Sequence, residues 1–275
     1  MGKFDKTLIC TDLDGTLLMN DKSISRENLE AIRYFESEGG AFSFITGRMP
    51  FFVDYVLDTL KPTVPFGCIN GGGIFDAERG EYVWREELDR EALELVEFAE
   101  ERIEGLGIQV NTFDKIYFAR ENECMDWFRR VTGLPKLVKK LREVDEPIAK
   151  IVFGDFDSDK LDRLTELLFT HPRAEKFDFI RSEKNLYEIL PKGVSKGTLV
   201  ERLADTLGIP RTRTVALGDY NNDIDMIRRA AVGIAVANAR PEVKAVADRV
   251  TVSNEQHAIA KTVEEIENGV IRFSE

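Results

Sequence analysis

The sequence predicts an α/β protein: a doubly wound parallel sheet interrupted by a smaller α+β domain on an antiparallel sheet. Three observations carry that expectation. Short apolar runs at residues 7–11, 41–45 and 65–69 alternate with helical patterns, the rhythm of βαβ units with right-handed crossovers. Between about residues 84 and 188 the rhythm changes to two strands, helix, strand, helix and two strands. After Ser195 the first rhythm resumes, and its strands end in turns that carry Asp and Gly.

Composition narrows the function classes. With 275 residues, 43% hydrophobic and 32% charged, the chain is a globular protein long enough for two domains. A formal net charge of −12 argues against a nucleic-acid binder, which would carry a basic face. It does not forbid an anionic substrate, because a divalent cation reverses the local field. The three cysteines, Cys10, Cys68 and Cys124, are scattered and read as reduced thiols. Two histidines, His171 and His257, leave little room for a His-based metal site. No stretch approaches the roughly 20 apolar residues of a membrane helix, and the N-terminus shows no apolar signal region. A cytoplasmic protein without membrane partners is expected.

In chain order, the strand at 7–11 runs into Asp12-Leu13-Asp14-Gly15-Thr16. Ser25 is placed to cap a helix through Leu29, Ile32 and Phe35, which Gly39-Gly40 ends. A strand at 41–45 meets Thr46-Gly47-Arg48, and a helix from Phe52 to Leu60 follows. The strand at 65–69 meets Asn70-Gly71-Gly72-Gly73, read as a turn lining a crevice because no G-x-G-x-x-G opens a helix there. The inserted region holds a helix through Leu93, Val96 and Ile103, strands near 108–112, 115–119, 148–153, 177–181 and 186–190, and helices near 124–131 and 161–169. The domains expected are 1–83 with 189–275, and 84–188, with hinges near 81–85 and 191–193. A helix through Leu199, Leu203 and Leu207 then leads to a strand at 214–218 and to Asp219-Tyr220-Asn221-Asn222-Asp223. Strands at 233–237 and 249–253 and a helix at 258–266 close the chain.

Four loops therefore stand at or near carboxyl ends of parallel strands and gather at the topological switch point: Asp12/Asp14, Thr46-Gly47, Lys196 and Asp219/Asp223. Four carboxylates in one crevice repel unless a hard cation lies among them. Oxygen ligands without His or Cys select Mg²⁺. Thr46, the amides around Gly47 and Lys196 supply donors for an anion, and metal plus Lys plus hydroxyl describes a phosphoryl-transfer site. An Asp is already anionic and needs no activating base to attack, and a second Asp two residues on can serve as acid and then as base.

These segments resemble the four motifs of the haloacid dehalogenase superfamily: Asp12-Leu13-Asp14-Gly15-Thr16, Ile45-Thr46-Gly47-Arg48, Gly193-Val194-Ser195-Lys196-Gly197 and Gly218-Asp219-Tyr220-Asn221-Asn222-Asp223. They occur in the family's order and span the chain. The pattern is most similar to the Cof-type branch (subfamily IIB), whose Rossmann-like core carries an inserted C2-type cap. The resemblance implies that Asp12 is a nucleophile that becomes an aspartyl phosphate and that Asp14 is the general acid/base. It implies phosphate contacts from Leu13, Thr46, Gly47, Lys196 and Asn222. Mg²⁺ would be bound by Asp12, the Asp14 backbone carbonyl, Asp219 and Asp223, and the cap would choose the leaving group. Val236-Ala237 stands where many relatives read Met-Gly, a departure in backbone packing only.

Blander readings remain beside these. Asp12 and Asp14 alone could close an ordinary turn, Asp223 could serve only a helix dipole, and Asp225 reads as one more first-turn acid. Arg48 either contacts substrate or braces a carboxylate. The function implied is a Mg²⁺-dependent phosphatase of small phosphorylated metabolites, sugar phosphates foremost. A sugar phosphomutase and a non-catalytic phosphate sensor are the rivals.

Overall fold

The structure, a computed structural model, describes residues 2–273. It divides into two compact units, one running to Arg85 and resuming at Ser195, the other formed by Glu86–Val194. Elements in chain order are β1 (Leu8–Thr11), α1 (Arg26–Ser37), β2 (Ala41–Phe44), α2 (Asp54–Leu60), β3 (Phe66–Cys68), β4 (Gly73–Asp76) and β5 (Glu81–Arg85). The second unit then holds α3 (Ala92–Glu100), β6 (Gly107–Thr112), β7 (Ile116–Arg120), α4 (Glu123–Thr132), β8 (Ile148–Gly154), α5 (Ser158–Phe169), β9 (Phe177–Glu183) and β10 (Leu186–Pro191). The first unit resumes with α6 (Lys196–Leu207), β11 (Thr214–Gly218), α7 (Ile224–Arg229), β12 (Val232–Ala235), α8 (Pro241–Lys244), β13 (Arg249–Val250) and α9 (Ala258–Glu267).

In the first unit a five-stranded sheet has the order β13-β12-β11-β1-β2, with every pairing parallel. The chain leaves β1 toward β2 and leaves β11 toward β12 in the opposite direction, so the switch point lies between β1 and β11. Leu8, Ile9 and Cys10 have no exposed surface, as expected of a central parallel strand covered on both faces. Leu8, Cys10 and Ala216 pack with Leu199, Val200 and Leu203 of α6 and Met226 of α7. Each fully buried aliphatic side chain contributes about 2 kcal/mol.

Local chemistry sets the helix ends. The Ser25 hydroxyl accepts from Asn28 N at 3.2 Å, capping α1 as expected, and Gly39 turns the chain at φ +90°. Asn28 is buried, and its Oδ1 accepts from Ala260 N at 3.0 Å, joining the first turns of α1 and α9.

Several elements differ from the sequence expectation. The third run does not continue the parallel sheet. β3 touches the chain just past β2 at a single parallel bridge, Ile45–Gly67, with the Phe44 and Phe66 rings stacked 4.4 Å apart, and forms an antiparallel sheet with β4 and β5. β4 starts at Gly73, inside a glycine run that reads as a turn. The expected helix from Phe52 becomes a 3-10 turn, Pro50–Phe52, followed by α2, and the last strand shrinks to two residues.

The second unit carries one antiparallel sheet of order β7-β6-β8-β10-β9. Ile108, Val110, Ile151, Phe153, Tyr187 and Ile189 form its core with Leu161, Leu164 and Leu168 of α5. Lys150 and Glu188 are 5% and 3% exposed, and Lys150 Nζ lies 2.8 Å from Glu188 Oε2. No helix among the described residues is long and apolar enough to cross a membrane.

Candidate active site

Asp12 is the first residue beyond β1, and its N–H still donates to Leu217 O of β11 at 2.9 Å. The chain then coils tightly: Leu17 N and Leu18 N return to the carbonyls of Asp12 and Leu13 at 3.2 and 2.8 Å. Gly15 takes φ +82°, and an added Cβ would lie 2.7 Å from Asp219 Oδ2. Only glycine fits that close approach in that conformation. The loop is tied from behind by Asn238 Nδ2, which donates to Gly15 O at 2.7 Å, and by Asn254 Nδ2, which donates to Leu18 O at 3.0 Å. Leu13 is fully buried, so any contact it makes with a ligand is through its backbone.

β11 ends beside β1 and delivers Asp219. Thr16 Oγ1 donates to Asp219 Oδ1 at 2.8 Å. Asp223 lies in the 3-10 turn before α7 and is wholly buried. Its Oδ2 accepts from Asp219 N at 2.9 Å and Tyr220 N at 3.0 Å, fixing the turn between the two acids. Oxygens of Asp12, Asp219 and Asp223 all lie within 4.8 Å of one another.

Lys196 opens α6 and is 1% exposed; its Nζ lies 2.6 Å from both Asp12 Oδ1 and Asp223 Oδ1. Burial by itself would lower the Lys196 pKa, but the charges of Asp12 and Asp223 outweigh it and hold the ammonium above its ordinary range. Asp12 is pushed well up, first by burial, against the pull of Lys196 and with repulsion from Asp223 and Asp219. Burial, then the Asp223 charge, raises Asp219 to about 7. One ammonium does not compensate three clustered carboxylates. The all-oxygen donor set and its raised acids fit a hard divalent cation such as Mg²⁺.

The Asp14 carboxylate points elsewhere. Arg48 grips it with Nε to Oδ2 at 2.8 Å and Nη2 to Oδ1 at 2.9 Å, and Lys22 Nζ reaches Oδ1 at 2.8 Å. Burial opposes ionisation there, yet Arg48 and Lys22 win and hold the carboxyl below its usual range. Of the two readings of Arg48, the brace is the one seen. Arg48 and Lys22 also line a cavity of about 460 Å³ with Asp21, Ser23 and Tyr55.

Thr46 is buried, and its Oγ1 accepts from Arg48 N at 3.2 Å, leaving the hydroxyl proton for another acceptor. A Cβ on Gly47 would meet Asn70 Oδ1 at 2.7 Å, and Asn222 Nδ2 donates to that same oxygen at 3.0 Å. Thus Asn70 joins the Gly47 and Asn222 loops. It does so from an unusual backbone, with φ +58° at Ile69 and +52° at Asn70. A β-branched residue in that region is strained by about 1–3 kcal/mol, and such strain gathers at functional sites. Asn238, Asn254 and Lys22 are site residues that sequence reasoning missed, and Asn70 was read only as part of a turn lining a crevice. Only Asn70 carried a sequence signal, its Asn-Gly step after an apolar run.

The fold and site have relatives among known proteins. Residues 9–263 match the family described as haloacid dehalogenase-like hydrolase. The Bacillus subtilis (strain 168) phosphatase YwpJ is 30% identical over 282 residues, covering 92% of this chain and 97% of that protein. The 5-amino-6-(5-phospho-D-ribitylamino)uracil phosphatase YwtE of the same organism is 30% identical over 286 residues, covering 95% and 98%. A solved haloacid dehalogenase-like hydrolase from B. subtilis superimposes with a TM-score of 0.81 at 29% identity, covering 94% of this chain and 99% of that one. With the motifs in family order and the match spanning nearly its whole length, the chain belongs to the haloacid dehalogenase-like hydrolases.

Proposed function

We propose that the protein is a Mg²⁺-dependent phosphatase of small phosphorylated metabolites, acting through a phosphoryl group carried on Asp12. The observation that carries this reading is the buried charge cluster at the switch point: Asp12 and Asp223 on one ammonium, with Asp219 beside them. Asp12, Asp219, Asp223 and the Asp14 carbonyl would hold Mg²⁺. Bound there, the ion supplies charge neutralisation that keeps the carboxylates ionised and draws negative charge from a phosphoryl oxygen.

The chain's own residues divide the rest. An Asp12 carboxylate oxygen attacks phosphorus and the ester P–O bond breaks, its electrons leaving on the substrate oxygen. Asp14 gives that oxygen a proton when the leaving group is a poor one. Water then attacks phosphorus, Asp14 takes its proton, the P–O bond to Asp12 breaks and inorganic phosphate departs. Asp14 ionised between Arg48 and Lys22 is ready for the second half of that cycle. In the first half it must be protonated, so the cationic grip has to loosen when substrate arrives. Lys196, the Thr46 hydroxyl, Asn222 and backbone amides near Leu13 and Gly47 would receive the phosphoryl oxygens.

Sugar and sugar-alcohol phosphates are the favoured substrate class, in line with the phosphoribityl compound in the name of YwtE. The reading is tested with Asp12→Asn on an aryl phosphate in Mg²⁺. Release of phosphate should fall to background, and turnover near the wild-type rate removes Asp12 as nucleophile.

A further inference from the structure

Asp225 reads in the sequence as an ordinary acid in the first turn of a helix, and the catalytic scheme above does not use it. In the structure it faces the start of α6. The Ser195 hydroxyl donates to Asp225 Oδ2 and accepts from Thr198 N at 3.0 Å, so both its proton and a lone pair are committed. Arg229 Nε holds the same Asp225 oxygen at 2.8 Å, and Arg229 Nη1 reaches Glu201 Oε1 of α6 at 3.2 Å. The two helices meet so closely that a Cβ on Gly197 would lie 2.4 Å from Asp225 Oδ2 and 2.6 Å from its backbone. From the other side, a Cβ on Gly71 would lie 2.4 Å from the Ser195 carbonyl. Ser195 is therefore held between the loop after β3 and the first turn of α7.

Neighbouring residues thus make neighbouring bonds. Lys196 reaches Asp223 and Asp12, while Ser195 reaches Asp225. A lysine tail has four rotatable bonds and is a compact point charge, so its aim depends on where its Cα is fixed. That Cα is the first of α6. We propose that Ser195 and Asp225 act as a positioning pair that holds Lys196 in register with Asp12 and Asp223, and so with an incoming phosphoryl group. The pair touches no reacting atom. The inference rests on the reading that Lys196 receives the phosphoryl oxygens.

The test uses the full chain with Mg²⁺, an aryl phosphate as substrate and inorganic phosphate as competing product. Asp225→Ala should raise KM and weaken phosphate inhibition together, each by about fivefold, the size of one hydrogen bond to a charged group loosened at a half-exposed site. Asp225→Asn keeps an oxygen that accepts the Ser195 hydroxyl and should return both constants to within about twofold of wild type. The double variant with Ser195→Ala should be no worse than Ser195→Ala alone, because one contact cannot be lost twice. A residue that merely stabilised the fold would lower the melting temperature and leave both constants unchanged in the folded protein. Unchanged constants in Asp225→Ala, or single losses that multiply in the double variant, overturn the pair. If Asp225→Ala does not fold, Ser195→Gly removes the same contact while keeping a residue that is tolerated at the helix N-cap. It should shift both constants in the same direction, and no shift is equally decisive against the pair. Lys196→Ala separates the two layers. If it keeps full phosphate inhibition, the role given to Lys196 fails; if it loses inhibition while Asp225→Ala does not, only the positioning pair fails.

Discussion

Lys196→Met is the substitution whose stability effect follows most directly from the site. The methionine fills nearly the same volume and removes one charge. In the wild type that charge sits 2.6 Å from carboxylate oxygens of both Asp12 and Asp223, and the three side chains are 1%, 9% and 0% exposed. Removing one partner of a buried ion pair leaves an uncompensated charge and costs about 3–5 kcal/mol. For a unit of this size each kcal/mol lowers the melting temperature by about 2–4 °C, so a fall of roughly 10 °C is expected without metal. The two tryptophans allow a clean assay, since Trp84 belongs to the first unit and Trp127 to the second. In a Trp127→Phe background, Trp84 fluorescence reports unfolding of the first unit; its ring carries the Arg202 guanidinium of α6 at 4.0 Å. The deficit should shrink at acid pH, where Asp12, already raised by burial, takes a proton. It should also shrink in millimolar Mg²⁺. A metal-free variant melting within about 2 °C of wild type at pH 7.5 refutes the claim that this ammonium offsets the charge of Asp12 and Asp223.

Three further outcomes follow from the same geometry. Asp219 is raised from 3.8 to about 7, so the folded state binds the extra proton and metal-free stability should fall as pH rises through that window. Thermal melts at pH 5.5 and 8 should show the loss, and Mg²⁺ should remove it at pH 8. Gly15→Ala should weaken Mg²⁺ activation at least tenfold in a titration of activity, because the new methyl group at φ +82° would press on Asp219 Oδ2 at 2.7 Å. Lys150→Met strips the cation that faces buried Glu188, costing about 3 kcal/mol in a Trp127-reported melt. The Trp84-reported transition should stay in place.

Much of the site was legible because it is written at strand ends. Buried strands announce themselves by apolar runs, and Asp12, Thr46 and Asp219 follow such runs directly. Their convergence needed only the topology of a parallel sheet. Lys196 was legible through its Gly193-Val194-Ser195-Lys196-Gly197 motif; that the Ser195 side chain caps α6 appeared only in the structure. The residues that aim these groups were legible only in part: a bracing role for Arg48 was one of two readings, but its target and partner were not. Lys22 and Arg48 meet at Asp14 from loops 26 residues apart in sequence, and Asn70 and Asn222 meet across 152. No local pattern encodes such pairings, which arise only once the loops are packed together. The Gly71-Gly72-Gly73 run misled the strand reading because glycine marks turns, whereas here it gives β4 a close approach to Cys68 and Tyr82. Asp225 looked idle for the same reason that Lys22 did: its partner lies on another element.

The division of labour between Asp12 and Asp14 is tested most directly by rapid-quench analysis of Asp14→Asn with an aryl phosphate in Mg²⁺. An aryl leaving group departs without a proton, so the first step should proceed and the second should stall for want of a base. The predicted result is a burst of one aryl alcohol per enzyme, with the phosphoryl group recovered on the peptide that contains Asp12. A phosphoryl group recovered on another residue, or steady turnover of Asp14→Asn at the wild-type rate with no phosphoenzyme formed, contradicts the account.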